Sequence, residues 1–461
     1  MYGGCLGRNM SAIDNTGYGN VLKCDSYFYG TVNINISGGT VSQTIYGAGA
    51  GGVSGYNANS TDDYKSYGRD IDTVVNINIS GGTIDADIFG GGYGYTNYLT
   101  ANSTQSDGGT LYGDCNIEIS GSAVINGSIY GGGRGYDLAS DKTDLAQMIG
   151  TSTLTISGTP TITGEIYGAG MGLSNYEDMA KFEGTTNIDI NADLTTNVFG
   201  GGNISKTIGT TNININSGTH TSAIYGGGNV GILEGTSNVT INGGTSSEVY
   251  GGGNQALATN SNVYVKGGNI DNVYGGGNQS GAETTNIVIS GGTTKTIYGG
   301  SNQDGTVNKT AITANDGTVT DIFGGNNEGG TCPETNIEQN GTIVEDAIYG
   351  GGNQVATENT NINLNKTQST IPNVFGGGKS ADATTTNILV KGGDYTNIFG
   401  GSNTSGTVTT SNITAEEGNI KNIFGGNNEG GETVTSYVTI NGGNIENAFG
   451  GGNQANTTTS N

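Results

Sequence analysis

Two-residue alternation of aliphatic and polar positions organises this chain. A first aliphatic column runs from Ile34 and Ile77 through Ile188 and Ile287 to Ile413 and Val438. A second column stands two residues later, from Ile36 to Ile440, with Gln339 as its misfit. Polar residues such as Asn35, Glu118, Asp189 and Thr240 lie between them. β-Branched residues at period two predict a strand with one buried face. A Gly-rich turn follows the run, then Ile or Val, an aromatic residue and Gly, with Met1 and Ala448 as departures before the aromatic.

The aromatic-glycine pair returns 16 times, from Tyr2 to Phe449, and its spacing shrinks from 44 residues to a steady 24 to 26. One such unit cannot bury its own apolar face and must stack on copies of itself. The expected fold is therefore all-β, a single parallel β-solenoid of about 15 coils, right-handed by the crossover rule and about 70 Å long. Loop insertions belong to the first five coils, at 6–30, 50–74, 93–114, 134–151 and 171–185. Residues 1–185 thus form loop-decorated coils, and 186–461 regular ones. Only Asp137 to Ile149 carries helical spacing, and it predicts a short helix.

Neighbouring strand residues face opposite ways, so one member of each Ile-aromatic pair should point inward. Phe fills 7 of the 16 aromatic positions. A solvent-facing Phe column is costly, which favours a buried aromatic stack whose Tyr hydroxyls need partners. From Phe199 onward the residue four beyond the aromatic is Asn, as at Asn203, Asn302 and Asn453, with Lys379 the exception. A further Asn column precedes the first strand, as at Asn76, Asn212 and Asn387. Both predict ladders of side-chain amides bonded from coil to coil. In the decorated coils the first of these positions holds Leu6, Ala50, Tyr93, Arg134 and Met171.

The formal charge of −25 opposes nucleic acid or an anionic membrane as partner, because no basic stripe is present. No run of 18 apolar residues appears, so direct membrane insertion is not expected. No export signal follows Met1. Both ends fall inside a repeat, and the sequence reads as a piece of a longer chain. Cys5 and Cys24 flank one insertion and are candidates to pair, whereas Cys115 and Cys332 lie too many coils apart. No CxxC is present and His220 is the only histidine, which argues against zinc. No cofactor is expected.

Candidate chemistry concentrates in the insertions. Of 24 tyrosines, 16 fall before residue 186, and only four of those belong to the repeating column. Tyr offers amphipathic contact area at low entropic cost, suiting sugar or protein recognition. The candidate ligand-binding residues are Tyr56, Tyr64, Tyr67, Arg69, Tyr93, Tyr95, Tyr98, Arg134, Tyr136 and Tyr176. A plainer reading has these tyrosines folding the loops onto the solenoid. His220 reads as a surface residue. Calcium is conceivable at Asp62, Asp63, Asp70 and Asp72, although the calcium-repeat pattern is missing.

With the columns in view, units such as 261–279 (SNVYVKGGNIDNVYGGGNQ) and 285–303 (TNIVISGGTTKTIYGGSNQ) carry a resemblance. The chain resembles the right-handed parallel β-helix, or β-solenoid, repeat region of large bacterial cell-surface adhesins. That resemblance implies an extracellular or cell-surface bacterial protein that presents binding loops, and it transfers no site residue. The expected function is a non-catalytic structural and adhesive rod whose Tyr-rich loops bind a host or matrix glycan or protein. The alternative is a β-helix polysaccharide lyase or glycoside hydrolase, with clustered carboxylates and a basic residue in a groove beside the loops. An ice-binding surface of outward Thr and Asn columns is a third reading, weakened by the variation of those positions.

Overall fold

The computed structural model describes residues 30–49, 73–94, 109–135, 145–174, 176 and 178–461, with the backbone of 27–28 and 53–54. The fold is all-β, a parallel β-solenoid, as the alternation predicts. The regular turns number about 11 rather than the 15 expected. The earlier rungs exceed the regular length through their insertions, and parts of them lie outside the described residues. No helix occurs among the described residues. Of the expected helix, 137–144 lies outside them, and the rest is a turn entering the strand Met148–Ser157.

The chain divides into two compact units, Met1–Ser222 with Gly226–Gly235, and Ala223–Tyr225 with Thr236–Asn461. In the first, Thr31–Val41, Thr73–Ile84, Leu111–Ile119, Met148–Ser157, Phe182–Asn191 and Thr207–Ser217 pair in parallel. Their register aligns Ile34, Ile77, Ile117, Leu154, Ile188 and Ile213. In the second unit a column of the same kind runs in register through Val263, Ile287, Ile312, Ile337, Ile362, Ile388, Ile413 and Val438. There the two strands of a coil can merge, as in the 17-residue strands Ala282–Tyr298 and Ala383–Phe399. Matched phase makes identical side chains neighbours, which is how a modest aliphatic repeat builds a continuous core.

From Ile45–Tyr46 to Ile398–Phe399 both members of the aliphatic-aromatic pair are buried, so the choice between them dissolves; at the last rung Ala448 and Phe449 are exposed. A Cβ placed on Gly251 would lie 3.0 Å from Val263 Cγ2 and 3.1 Å from Ser261 Oγ. Gly251 and Val249 therefore share the interior face, and Tyr250 occupies the opposite one. The aromatic rings are covered there by one another. Tyr250, Tyr274 and Tyr298 stack at 4.6 and 5.0 Å between centroids, and Phe375, Phe399 and Phe424 at 4.9 Å.

Both expected Asn ladders form. Asn212 donates to Asn187 at 2.9 Å and Asn387 to Asn361 at 3.1 Å, while Asn278 donates to Asn254 at 3.1 Å and Asn327 to Asn302 at 2.8 Å. A third device has only a faint sequence signal, the hydroxyl residue that stands just before the ladder position in most coils. Thr186, Thr285, Thr310 and Thr360 each donate across the core to the carbonyl of the glycine after the aromatic, at 2.6 to 2.7 Å. These buried bonds tie the two strands of one coil together. Gln339 is buried in the aliphatic column, donates to the Thr342 carbonyl at 2.5 Å, and leaves its own Oε1 without a partner.

His220 corrects the surface assignment. It is 2% exposed, on the short strand Thr219–His220 bridged to Leu194, with Nε2 3.2 Å from the Ser217 carbonyl. The variable turn folds back as a strand and carries the ring beneath it.

Candidate functional site

The decorated coils depart from the regular ones at the ladder position four residues after the aromatic. There the described residues hold Tyr93, Arg134 and Met171, and the first two form an isolated parallel bridge between adjacent rungs. The Arg134 guanidinium lies 5.4 Å from the Tyr93 ring centroid, a cation-π distance. Its Nη1 donates to the Tyr46 hydroxyl at 3.1 Å. The Tyr93 ring stacks on Tyr46 at 5.3 Å, and Tyr46 stacks on Phe89 at 5.3 Å. Burial opposes the charge on Arg134, but the Tyr46 hydroxyl, Tyr93 and Asp87 outweigh it and hold the guanidinium protonated. Tyr93 and Arg134 are each partly exposed, whereas Tyr46 beneath them is buried.

The insertions return against the same glycine turns. A Cβ on Gly94 would lie 2.8 Å from Leu145 Cβ, and one on Gly135 would lie 2.6 Å from Met179 Sδ. Leu145 and Met179 form a buried pair, with Leu173 and Tyr176 packed against it. Tyr176 thus serves the plainer role of folding an insertion onto its coil. Of the ten candidate residues, the structure brings together Tyr93 and Arg134 and places Tyr176 in that neighbouring apolar cluster. Tyr56, Tyr64, Tyr67, Arg69, Tyr95, Tyr98 and Tyr136 lie outside the described residues, as do Cys5, Cys24, Asp62, Asp63, Asp70 and Asp72.

A shallow groove of about 410 Å³ lies across four coils of the second unit, lined by Cys332, Thr357, Glu358, Asp382, Thr384 and Thr409 among others. Its lining holds no Lys, Arg or His. Burial pushes the Cys332 thiol up to about 12, so it stays protonated and is a poor nucleophile. Asp382 already accepts the Thr407 N–H at 2.6 Å. The groove can offer hydroxyl and carboxylate hydrogen bonds.

Two carboxylates and a lysine do act on one another in the regular coils. Burial, and then Asp346, raise the Asp321 carboxyl, while Lys379 works in the other direction. Lys379 stands where the ladder otherwise has Asn, and Asp321 Oδ1 is buried without a hydrogen-bond partner. Among the described residues no group of three or more His, Cys, Asp and Glu is placed to hold a metal ion. No helix among them is long and apolar enough to cross a membrane. No protein-family model, curated protein or solved structure matches the chain.

Proposed function

We propose that this chain is a non-catalytic structural and adhesive element of the bacterial cell surface or extracellular space, binding a glycan or protein ligand through its Tyr-rich insertions. The cluster of Tyr93, Arg134 and Tyr46 is the observation that supports this reading. A regular coil closes its turn with Asn, which spends its amide on the ladder. Two of the decorated coils replace that residue with a partly exposed aromatic ring, Tyr93, and a partly exposed guanidinium, Arg134. Rings that are rigidly stacked from beneath lose little entropy on binding, and Arg adds directional donors for a carboxylate, sulfate or hydroxyl. A repeat scaffold whose loops carry recognition is a division of labour that solenoids permit, since the core does not depend on loop composition.

The test is binding to a glycan array that includes acidic polysaccharides, alongside immobilised extracellular-matrix proteins. Tyr93→Ala with Arg134→Ala, and separate deletions within 50–74 and 95–108, should each weaken binding by about tenfold or more, as expected for aromatic and Arg anchors. Binding unchanged by all of them, or depolymerisation of a polysaccharide on the array, sinks the reading.

A further inference from the structure

The aromatic column carries chemistry that ligand binding leaves unused. In the second unit Tyr225, Tyr250, Tyr274 and Tyr298 follow without interruption, with centroids 4.7, 4.6 and 5.0 Å apart and planes within 13°. In the first unit Tyr130 and Tyr167 lie 4.8 Å apart with planes 1° from parallel. A buried phenol surrenders an electron readily only if its proton leaves with it, because charge separation in a low-dielectric site is costly. A base already bonded to the hydroxyl meets that need.

Two rungs supply such a base. Glu165 accepts the hydroxyl proton of Tyr167, and Glu248 that of Tyr250 at 3.2 Å. In each case the carboxylate stands two residues ahead of the ring and so on the same strand face, in Glu165-Ile166-Tyr167 and Glu248-Val249-Tyr250. Other rungs separate the two elements. Asp87 and Asp321 precede Phe89 and Phe323, which have no hydroxyl, while Asn272 and Thr296 precede Tyr274 and Tyr298. Both Tyr167 and Tyr250 are 1% exposed, and Glu165 and Glu248 are partly exposed, so a proton can pass onward to solvent.

We propose that Tyr167 and Tyr250 are sites of proton-coupled one-electron oxidation, with Glu165 and Glu248 as proton acceptors and the stacked neighbours sharing the unpaired spin. The oxidant is an external one-electron acceptor, such as a high-valent metal complex. It takes one electron from the ring while the O–H bond breaks. The proton moves to the glutamate, leaving a neutral phenoxyl radical and a neutral carboxylic acid. A one-electron reductant such as a thiolate returns the electron, and the glutamate returns the proton. Parallel, laterally fixed rings do not present their ortho carbons edge to edge, so coupling to a neighbour does not consume the radical.

The test uses the full chain with a photogenerated ruthenium(III) polypyridyl oxidant and electron paramagnetic resonance of freeze-quenched samples. Phe already occupies this column at Phe375, Phe399 and Phe424, so Tyr-to-Phe changes suit the rung. The double variant Tyr167→Phe/Tyr250→Phe should reduce the long-lived tyrosyl signal by roughly tenfold, and Glu165→Gln/Glu248→Gln should slow its formation comparably, at or below what a positioned base contributes. A tyrosyl signal that survives the Tyr double variant places the radical on other tyrosines and overturns the proposal. An unchanged formation rate in the Gln double variant overturns the proton-acceptor role.

Discussion

Asn302 donates from its side-chain amide to the hydroxyl of Tyr250 at 3.0 Å, across 52 residues and two rungs. Asn403 does the same to Tyr349 at 3.3 Å, and Arg134 to Tyr46 at 3.1 Å. The ladder residue of one rung thus serves the ring two rungs earlier. The hydroxyls of Tyr46, Tyr250 and Tyr349, which burial would otherwise leave without a donor, are partnered in this way.

Asn302 also bonds Asn278 at 3.1 Å and receives a bond from Asn327 at 2.8 Å. Asn302→Ala should cost about 1 to 3 kcal/mol, the range for buried groups left unpaired. Guanidinium unfolding measures it. A double-mutant cycle with Tyr250→Phe should show a coupling of about 1 kcal/mol, and strict additivity would contradict the bond.

Thr285 donates to the Gly299 carbonyl at 2.6 Å, and a Cβ on Gly275 would lie 2.2 Å from that same oxygen. Thr285→Val should destabilise by about 1 to 3 kcal/mol, and Thr285→Ser far less, because the acceptor keeps its donor. Gly275→Ala should be worse than either, as the strand spacing itself must open. Thermal melts should place Thr285→Ser highest, Thr285→Val lower and Gly275→Ala lowest.

Gln339 offers the opposite sign. Its neighbours in the column are Ala314 and Leu364, and its Oε1 is buried without a partner. Gln339→Leu should raise stability by about 1 kcal/mol, the removed desolvation cost exceeding the lost bond to Thr342. A lower melting temperature would show that the Thr342 bond dominates.

Burial lowers the pKa of His220 below its ordinary 6.5, with the Ser217 carbonyl and Asp193 acting against that shift. The unfolded chain then binds the proton more readily, so stability is fully present above 6.5 and is lost as pH falls below it. Unfolding free energy measured between about pH 7 and 5 should decline, and His220→Leu should flatten that part of the curve.

Cys115 and Cys332 are both free and buried, and burial raises both thiols. Neither should react with iodoacetamide in the native protein, and both should react in denaturant. Peptide mapping distinguishes them from Cys5 and Cys24. Native labelling of Cys332 would mean that the groove beside it opens.

Much of the fold was legible in the chain. The two-residue aliphatic period and the aromatic-glycine spacing depend on local pattern, and a repeat forces copies at matched phase to become neighbours, so both Asn ladders followed. The site was less legible. Tyr93 and Arg134 stood out only as departures from the Asn column, and their mutual contact needed the parallel register. Tyr176 looked equivalent by composition yet packs with Leu173 against Leu145 and Met179.

The strand pattern, the stacked columns and their spacing were thus determined by the sequence alone, because period and identity specify which side chains meet when rungs superpose. Tertiary structure decided what alternation leaves open. From Ile45–Tyr46 to Ile398–Phe399 the aliphatic residue and its aromatic neighbour are both buried, on opposite faces, because stacked rings cover one another. His220 lies inside because a turn returns as a strand. The hydroxyls of Tyr46, Tyr250 and Tyr349 each find a partner two rungs away, a distance set by side-chain reach along the stack and invisible to any periodicity within one repeat.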